Sequence, residues 1–281
     1  MRTILIPTDF SENAMRAAHY AINLFKCERC RFYFIHAYAD DVYRPLGPNS
    51  KMELKVEKNK AKNISNKRLH TLIEEVTGVP PNPRHTYESI SAFDSLVDAV
   101  NNFVNENNID LVIMGTKGIT NEKKVIFGSH TVQVFKYVQC PVLAIPENAA
   151  FHQPKRILFP TDYMLPYKRR ELKLLNCLSE DYKSAIHCLY ISDFETLSAR
   201  QIDNKRFLSE NLPDSYLFFE RTPVKNKAKA IQEYIESKQI DFLVMINSRH
   251  SFLEDLLYRS TVDKIGLTTR IPFLVMQNLP R

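Results

Sequence analysis

Asp110-Leu-Val-Ile-Met-Gly115-Thr-Lys-Gly118, followed nine residues later by Gly128-Ser129-His130, reads as a strand, a turn and the start of a helix. Ile109 and Leu111 to Met114 flank a single aspartate and stop at a glycine, the pattern of a buried strand. Three of the chain's six glycines fall in this one window. Glycine supplies positive φ or lets a ligand approach the main chain closely. A helix opening at Ser129 would aim unpaired N–H groups into the loop, which suits a phosphate.

Working outward, the chain repeats itself. Ile4-Leu5-Ile6-Pro7-Thr8-Asp9-Phe10 returns as Ile157-Leu158-Phe159-Pro160-Thr161-Asp162-Tyr163, an offset of 153. The same offset sets Phe34-Ile35-His36-Ala37-Tyr38 on His187-Cys188-Leu189-Tyr190-Ile191. Asn108 to Met114 matches Gln239 to Met245 at an offset of 131, and Cys140 to Pro146 echoes Ile271 to Met276. The second copy therefore lacks 22 residues between its second and fourth strands. Such a duplication decides the architecture.

Within copy one, the pattern predicts strands at 2–7, 31–38, 83–87, 110–115 and 141–145, and helices at 11–26, 51–77, 91–107 and 129–138. Ala14, Ala17, Ala18, Ala21, Ile22 and Phe25 recur at helical spacing behind Ser11, the expected N-cap. Apolar strands alternating with helices imply the α/β class: two tandem doubly wound domains, each a five-stranded parallel sheet in the order 3-2-1-4-5 with helices on both faces. The domains run 1–146 and 155–281, and Glu147 to Lys155 link them. In that order, the ligand crevice beyond the carboxyl ends of the strands lies between Asp9 and Gly115.

Composition narrows the partners. The net charge of +6 is spread among acidic residues, and the densest basic stretch, Lys51 to Arg68, reads as a solvated helix face, which argues against nucleic acid. Ile4-Leu5-Ile6 is cut off by Pro7, too short for a signal peptide, and no apolar run approaches a membrane span. A cytoplasmic location with no membrane partner is expected. Five cysteines, with a single C-x-x-C at Cys27 and Cys30, suggest incidental thiols rather than a redox or zinc site.

Gly115-x2-Gly118-x9-Gly128-Ser129 resembles the nucleotide motif of the universal stress protein family. The likeness extends to Pro7-Thr8-Asp9-Phe10-Ser11, to His36-Ala37 and to Cys140-Pro141-Val142-Leu143, and two copies resemble that family's tandem form. The resemblance implies an adenine-nucleotide site for ATP, with or without Mg2+. Asp9 would lie beside the adenine, after Pro7 and Thr8, and Ala37 would offer backbone groups to the base edge. Met114 would end the strand, with Gly115 and Gly118 beside ribose and phosphates. Gly128, Ser129 and His130 would give N–H groups to the phosphates. His130 departs from the family's usual small residue, so its ring would either assist or crowd the γ-phosphate. Plainer roles stand beside these: Asp9 as a helix cap, His36 as a core histidine, Lys117, Lys123 and Lys124 as solvated loop residues, and the glycines as a tight connection.

Copy two replaces the three glycines by Ile246, Arg249 and Arg259 and keeps Ser260. Ile246 would resist positive φ. Arg259, Glu254 and Asp255 would disfavour phosphate, leaving Arg249, His250 and Arg259 for some other anion or the whole copy for a structural role. The resemblance further implies an intramolecular pseudo-dimer in which the last strands, 141–145 and 272–276, pair, with a further homodimer open. Three functions compete: an ATP-binding protein of stress response or signalling with one site and an unknown protein partner; a slow ATPase or phosphoryl-transfer enzyme; and a nucleotide-free interaction scaffold. No catalytic residue and no metal ligand is assigned.

Overall fold

The computed structural model describes residues 1–43, 51–78, 81–116, 128–213, 215–223, 226–248, 253 and 270–278. The chain divides into two compact units, Met1–Glu147 and Asn148–Arg281.

In the N-terminal unit, the strands β1 (Arg2–Pro7), β2 (Cys30–Ala37), β3 (His85–Ala92), β4 (Leu111–Gly115) and β5 (Val142–Ile145) form a parallel sheet in the order 3-2-1-4-5. Ile4, Leu5 and Ile6 of the central strand are fully buried, as a strand covered on both faces requires. The helices are α1 (Glu12–Leu24), α2 (Ala39–Tyr43), α3 (Lys51–Thr77), α4 (Leu96–Asn107) and α5 (Ser129–Tyr137). The first two crossovers step one way along the sheet and the last two the other way. Right-handed connections then place their helices on opposite faces. In keeping with this, α4 packs on β1, β2 and α5, while α1 lies over β1, β4 and β5. Ser11 caps α1, its hydroxyl accepting the Ala14 N–H at 3.2 Å. Four small alanines (14, 17, 18 and 21) let that helix sit close to the sheet.

The C-terminal unit repeats the design with β6 (Arg156–Thr161), β7 (Ala185–Ile191), β8 (Tyr216–Thr222), β9 (Phe242–Asn247) and β10 (Phe273–Gln277). Here too the order is third, second, first, fourth, fifth. Its helices are α6 (Arg169–Tyr182), α7 (Ala199–Asn211) and α8 (Lys227–Lys238).

The repeat extends to single hydrogen bonds. Thr8 Oγ1 accepts the Phe10 N–H at 3.0 Å, and Thr161 Oγ1 accepts that of Tyr163 at 2.9 Å. Both aromatic residues lie in the left-handed region, at φ 63° and 56°. Asp110 accepts the Thr3 N–H at 2.8 Å, and Asp241 accepts that of Arg156 at 3.0 Å.

Three expectations change. First, β3 runs to Ala92 and α4 starts only after Ser95, instead of a strand ending at 87 and a helix starting at 91. This edge strand is largely exposed and polar, so its composition hides it, yet it pairs with β2 along all eight residues. Second, Thr3 pairs with Arg31 while Arg156, its counterpart, pairs with Ala185. The second strands therefore correspond at an offset of 154, not 153, and His36 matches Tyr190 while Ala37 matches Ile191. The bond from Tyr38 N–H to Ala92 C=O, repeated from Ser192 to Thr222, fixes the same correspondence. Third, α2 follows β2 where no element was expected.

Among the described residues, no helix is long and apolar enough to cross a membrane.

Candidate functional site

The ends of β1 and β4 are neighbours, with Ile4 opposite Leu111 and Leu5 opposite Val112. This juxtaposition brings the residues after Pro7 to the same edge as Gly115. Pro7 ends β1 opposite Ile35 and is buried, and Thr8 N–H donates to Ile35 C=O at 2.9 Å. Thr8 is also buried. Asp9 is half-buried, and its Oδ1 accepts the Ser11 N–H at 3.0 Å. Asp9 thus shapes the turn into α1, and Ser11 is the cap. Ala37 ends β2, half-buried opposite Ala92. Met114 is buried within β4 opposite Ala144.

Gly115 closes β4, and its glycine identity has a steric cause different from the one expected. No described glycine has positive φ. A Cβ at Gly115 would instead lie 2.6 Å from Asn13 Nδ2 and 3.0 Å from the Asn13 carbonyl. The first turn of α1 therefore rests on this glycine. In the second copy, Ile246 needs no positive φ either, and it lies buried within β9. The counterpart of Asn13 is Pro166, which precedes α6 rather than lying in its first turn.

Thr116 follows, buried, its N–H donated to Ile145 C=O at 3.1 Å. The residues from 117 to 127, with Gly118, Lys117, Lys123 and Lys124, lie outside the described residues, as do Arg249, His250, Glu254, Asp255, Arg259 and Ser260. The chain re-enters at Gly128, whose N–H donates to Thr116 C=O at 2.7 Å. That donor closes the loop, which leaves Ser129 and His130 to present N–H groups. Both are exposed, and Gly128, the N-cap residue of α5, brings no side-chain cap. Thr131, missed in the sequence, fastens this start to β4. Its buried hydroxyl lies 3.3 Å from the Gly115 carbonyl and 3.2 Å from that of Thr116. Asn13 was missed as well, though a polar residue on the alanine face of α1 is a legible signal.

His36 is a core histidine. Its Nδ1 pairs with Ser65 Oγ at 2.9 Å, and Ser91 Oγ–H donates to Ser65 Oγ at 2.7 Å. Burial holds its pKa below the ordinary histidine value, with Asp41 opposing and Arg68 reinforcing the shift. The Phe10 ring stands 4.6 Å from the His36 ring, and the Arg68 guanidinium lies 4.1 Å from the Phe10 centroid. Of the C-x-x-C pair, Cys27 is exposed and Cys30 is buried, and burial pushes the Cys30 thiol up to about 12. That thiol stays protonated at neutral pH and is a poor nucleophile. Among the described residues, no group of three or more His, Cys, Asp or Glu side chains could hold a metal ion.

The donor set at the start of α5 fits a phosphate: first-turn N–H groups of exposed residues at the positive end of a helix, with no side-chain cap among the described residues.

The model of the Universal stress protein family matches residues 1–146. A universal stress protein of Methanocaldococcus jannaschii is 28% identical over 156 residues, spanning 51% of this chain and 81% of that protein. The crystal structure of a universal stress protein from Archaeoglobus fulgidus superposes over 98% of this chain and 96% of its own, at a TM-score of 0.66 and 18% identity. A structure from Pseudomonas aeruginosa covers 99% of this chain and 92% of its own, at a TM-score of 0.59 and 15% identity. The two structural likenesses carry the fold along both units.

Proposed function

Since the chain belongs to the universal stress protein family, we propose that its N-terminal unit binds one adenine nucleotide, ATP with or without Mg2+, as a non-enzymatic step in stress response or signalling. Asp9 and Ala37 serve the base, on a floor shaped by Pro7, Thr8 and Met114. Gly115 and Gly118 border ribose and phosphates, and Ser129 and His130 hold the phosphates through main-chain N–H groups. Gly128 shapes the entry to α5. ATP supplies the signal: its occupancy alters the surface that a protein partner meets.

One observation carries this reading. The start of α5, with no side-chain cap among the described residues, is hydrogen-bonded to the end of β4, and β4 neighbours β1, which leads into Asp9. The C-terminal unit keeps Thr161 and Asp162 but has Ile246 in place of Gly115, which favours a single site per chain.

Calorimetric titration of ligand-stripped protein with ATP should saturate at one site per chain, and Gly128→Glu should abolish that heat by placing bulk and negative charge at the cradle. Two equal sites, no site, or an unchanged affinity in the folded variant would each overturn the proposal.

A further inference from the structure

The C-terminal unit holds a cavity of about 570 Å3 lined by residues at and beyond the ends of its first two strands, among them Asp162, Met164, Tyr190, Phe194, Leu197 and Gln201. That volume is in the range of small-molecule pockets. The second copy is shorter in this part of the chain. In the N-terminal unit, residues 38–84 join the second and third strands. There Tyr38, Ala39 and Val42 are buried, and Arg68 of α3 covers Phe10. Residues 192–215 make the same connection in the C-terminal unit, and among the described residues α7 is its one helix, with no counterpart of α2.

The walls are held in place before any ligand arrives. Gln201 Nε2 donates to the Asp162 carbonyl at 2.8 Å and to Tyr190 OH at 3.4 Å, while its Oε1 accepts the Ser198 N–H at 2.9 Å. The loop from 192 to 198 is braced as well. Ser192 Oγ accepts the Phe194 N–H at 3.1 Å, and Arg221 donates to the Asp193 carbonyl at 3.0 Å and to Glu195 at 3.2 Å. Phe194, 76% exposed on this loop, and Met164, 47% exposed, both line the cavity, two large apolar side chains that gain from being covered. Asp162 is the lining residue with a formal charge at neutral pH. Its Oδ1 accepts the Met164 N–H at 2.9 Å, and a carboxylate has further acceptor capacity.

Aromatic residues and an anionic acceptor that line one cavity select a flat, positively charged partner through cation–π contact and a charge-assisted hydrogen bond. We propose that this cavity binds a small planar organic cation, an aromatic amidine or amine. The site belongs to the C-terminal unit and does not depend on the nucleotide reading of the N-terminal one.

The test uses the full chain and three probes of one shape: benzamidine, benzamide and benzoate, followed by calorimetry. Benzamidine should bind more tightly than benzamide, and benzoate should not bind. Asp162→Asn should weaken benzamidine about tenfold, and Leu197→Trp should abolish binding by filling the cavity, with circular dichroism checking that both variants fold. Saturating ATP should leave benzamidine affinity unchanged. No benzamidine binding, equal binding of benzoate, full affinity in Asp162→Asn, or displacement by ATP would overturn the proposal. If Asp162→Asn does not fold, the benzamidine–benzoate comparison on the natural sequence still decides.

Discussion

At Gly115 a single missing methyl group governs how the first helix meets the sheet. Alanine there would press on Asn13 Nδ2 at 2.6 Å and, less yieldingly, on the Asn13 backbone carbonyl at 3.0 Å. Overpacking of this kind costs about 1–3 kcal/mol, so Gly115→Ala should lower the thermal midpoint. Asn13→Ala should return part of the loss, since it relieves the side-chain contact and leaves the carbonyl one. A Gly115→Ala protein as stable as the natural one would refute this steric account. The glycine was visible in the sequence, but its partner was not. Asn13 is distant in the chain, and only the pairing of β1 with β4 brings α1 over the end of β4. Thr131 was hidden for the same reason, because its acceptors are the carbonyls of Gly115 and Thr116.

Among the elements, α3 docks through buried Leu69, Leu72 and Val76 and through one polar seam shared with β2 and β3: His36 of β2, Ser65 of α3 and Ser91 of β3. Burial depresses the His36 pKa, and Arg68 reinforces this against Asp41 and Asp9. The unfolded chain therefore takes up a proton that the folded chain resists. Stability from this residue is fully present above about pH 6.5, the ordinary histidine value, and declines as the pH falls below it. His187, whose pKa is also lowered by burial, adds to the same slope. Urea midpoints measured between pH 7.5 and 5.5 should drop in the natural protein and drop less in His36→Gln. Identical slopes would contradict the assignment. Elements with a clear apolar pattern, such as the alanine-faced α1 and the buried β1, were legible from sequence to within a residue or two. The edge strand β3 was cut short, because its outer residues meet water and carry no apolar signature. The brief helix α2 has too few residues to show a period.

Across the whole molecule, the duplication was legible, and so was the strand order it implied. The missing detail was one residue: the connection from the first to the second strand is longer in the C-terminal unit, so the offset changes from 153 to 154 while every strand keeps its register. A connection absorbs an added residue easily, whereas a strand slipped by one turns each side chain to the opposite face. The two units are therefore exchangeable parts only if they are cut in the connections. Replacing residues 31–38 with 185–192 should give a folded hybrid with a cooperative melt. Replacing them with 184–191, as a constant offset of 153 would dictate, should give a protein of markedly lower midpoint, because the bulky and small residues of β2 would trade faces. Equal midpoints in the two hybrids would mean that the sheet tolerates such an inversion. Similarity of letters is thus a poor guide to where these copies can be recombined, and the hydrogen-bonded ladder is the better ruler.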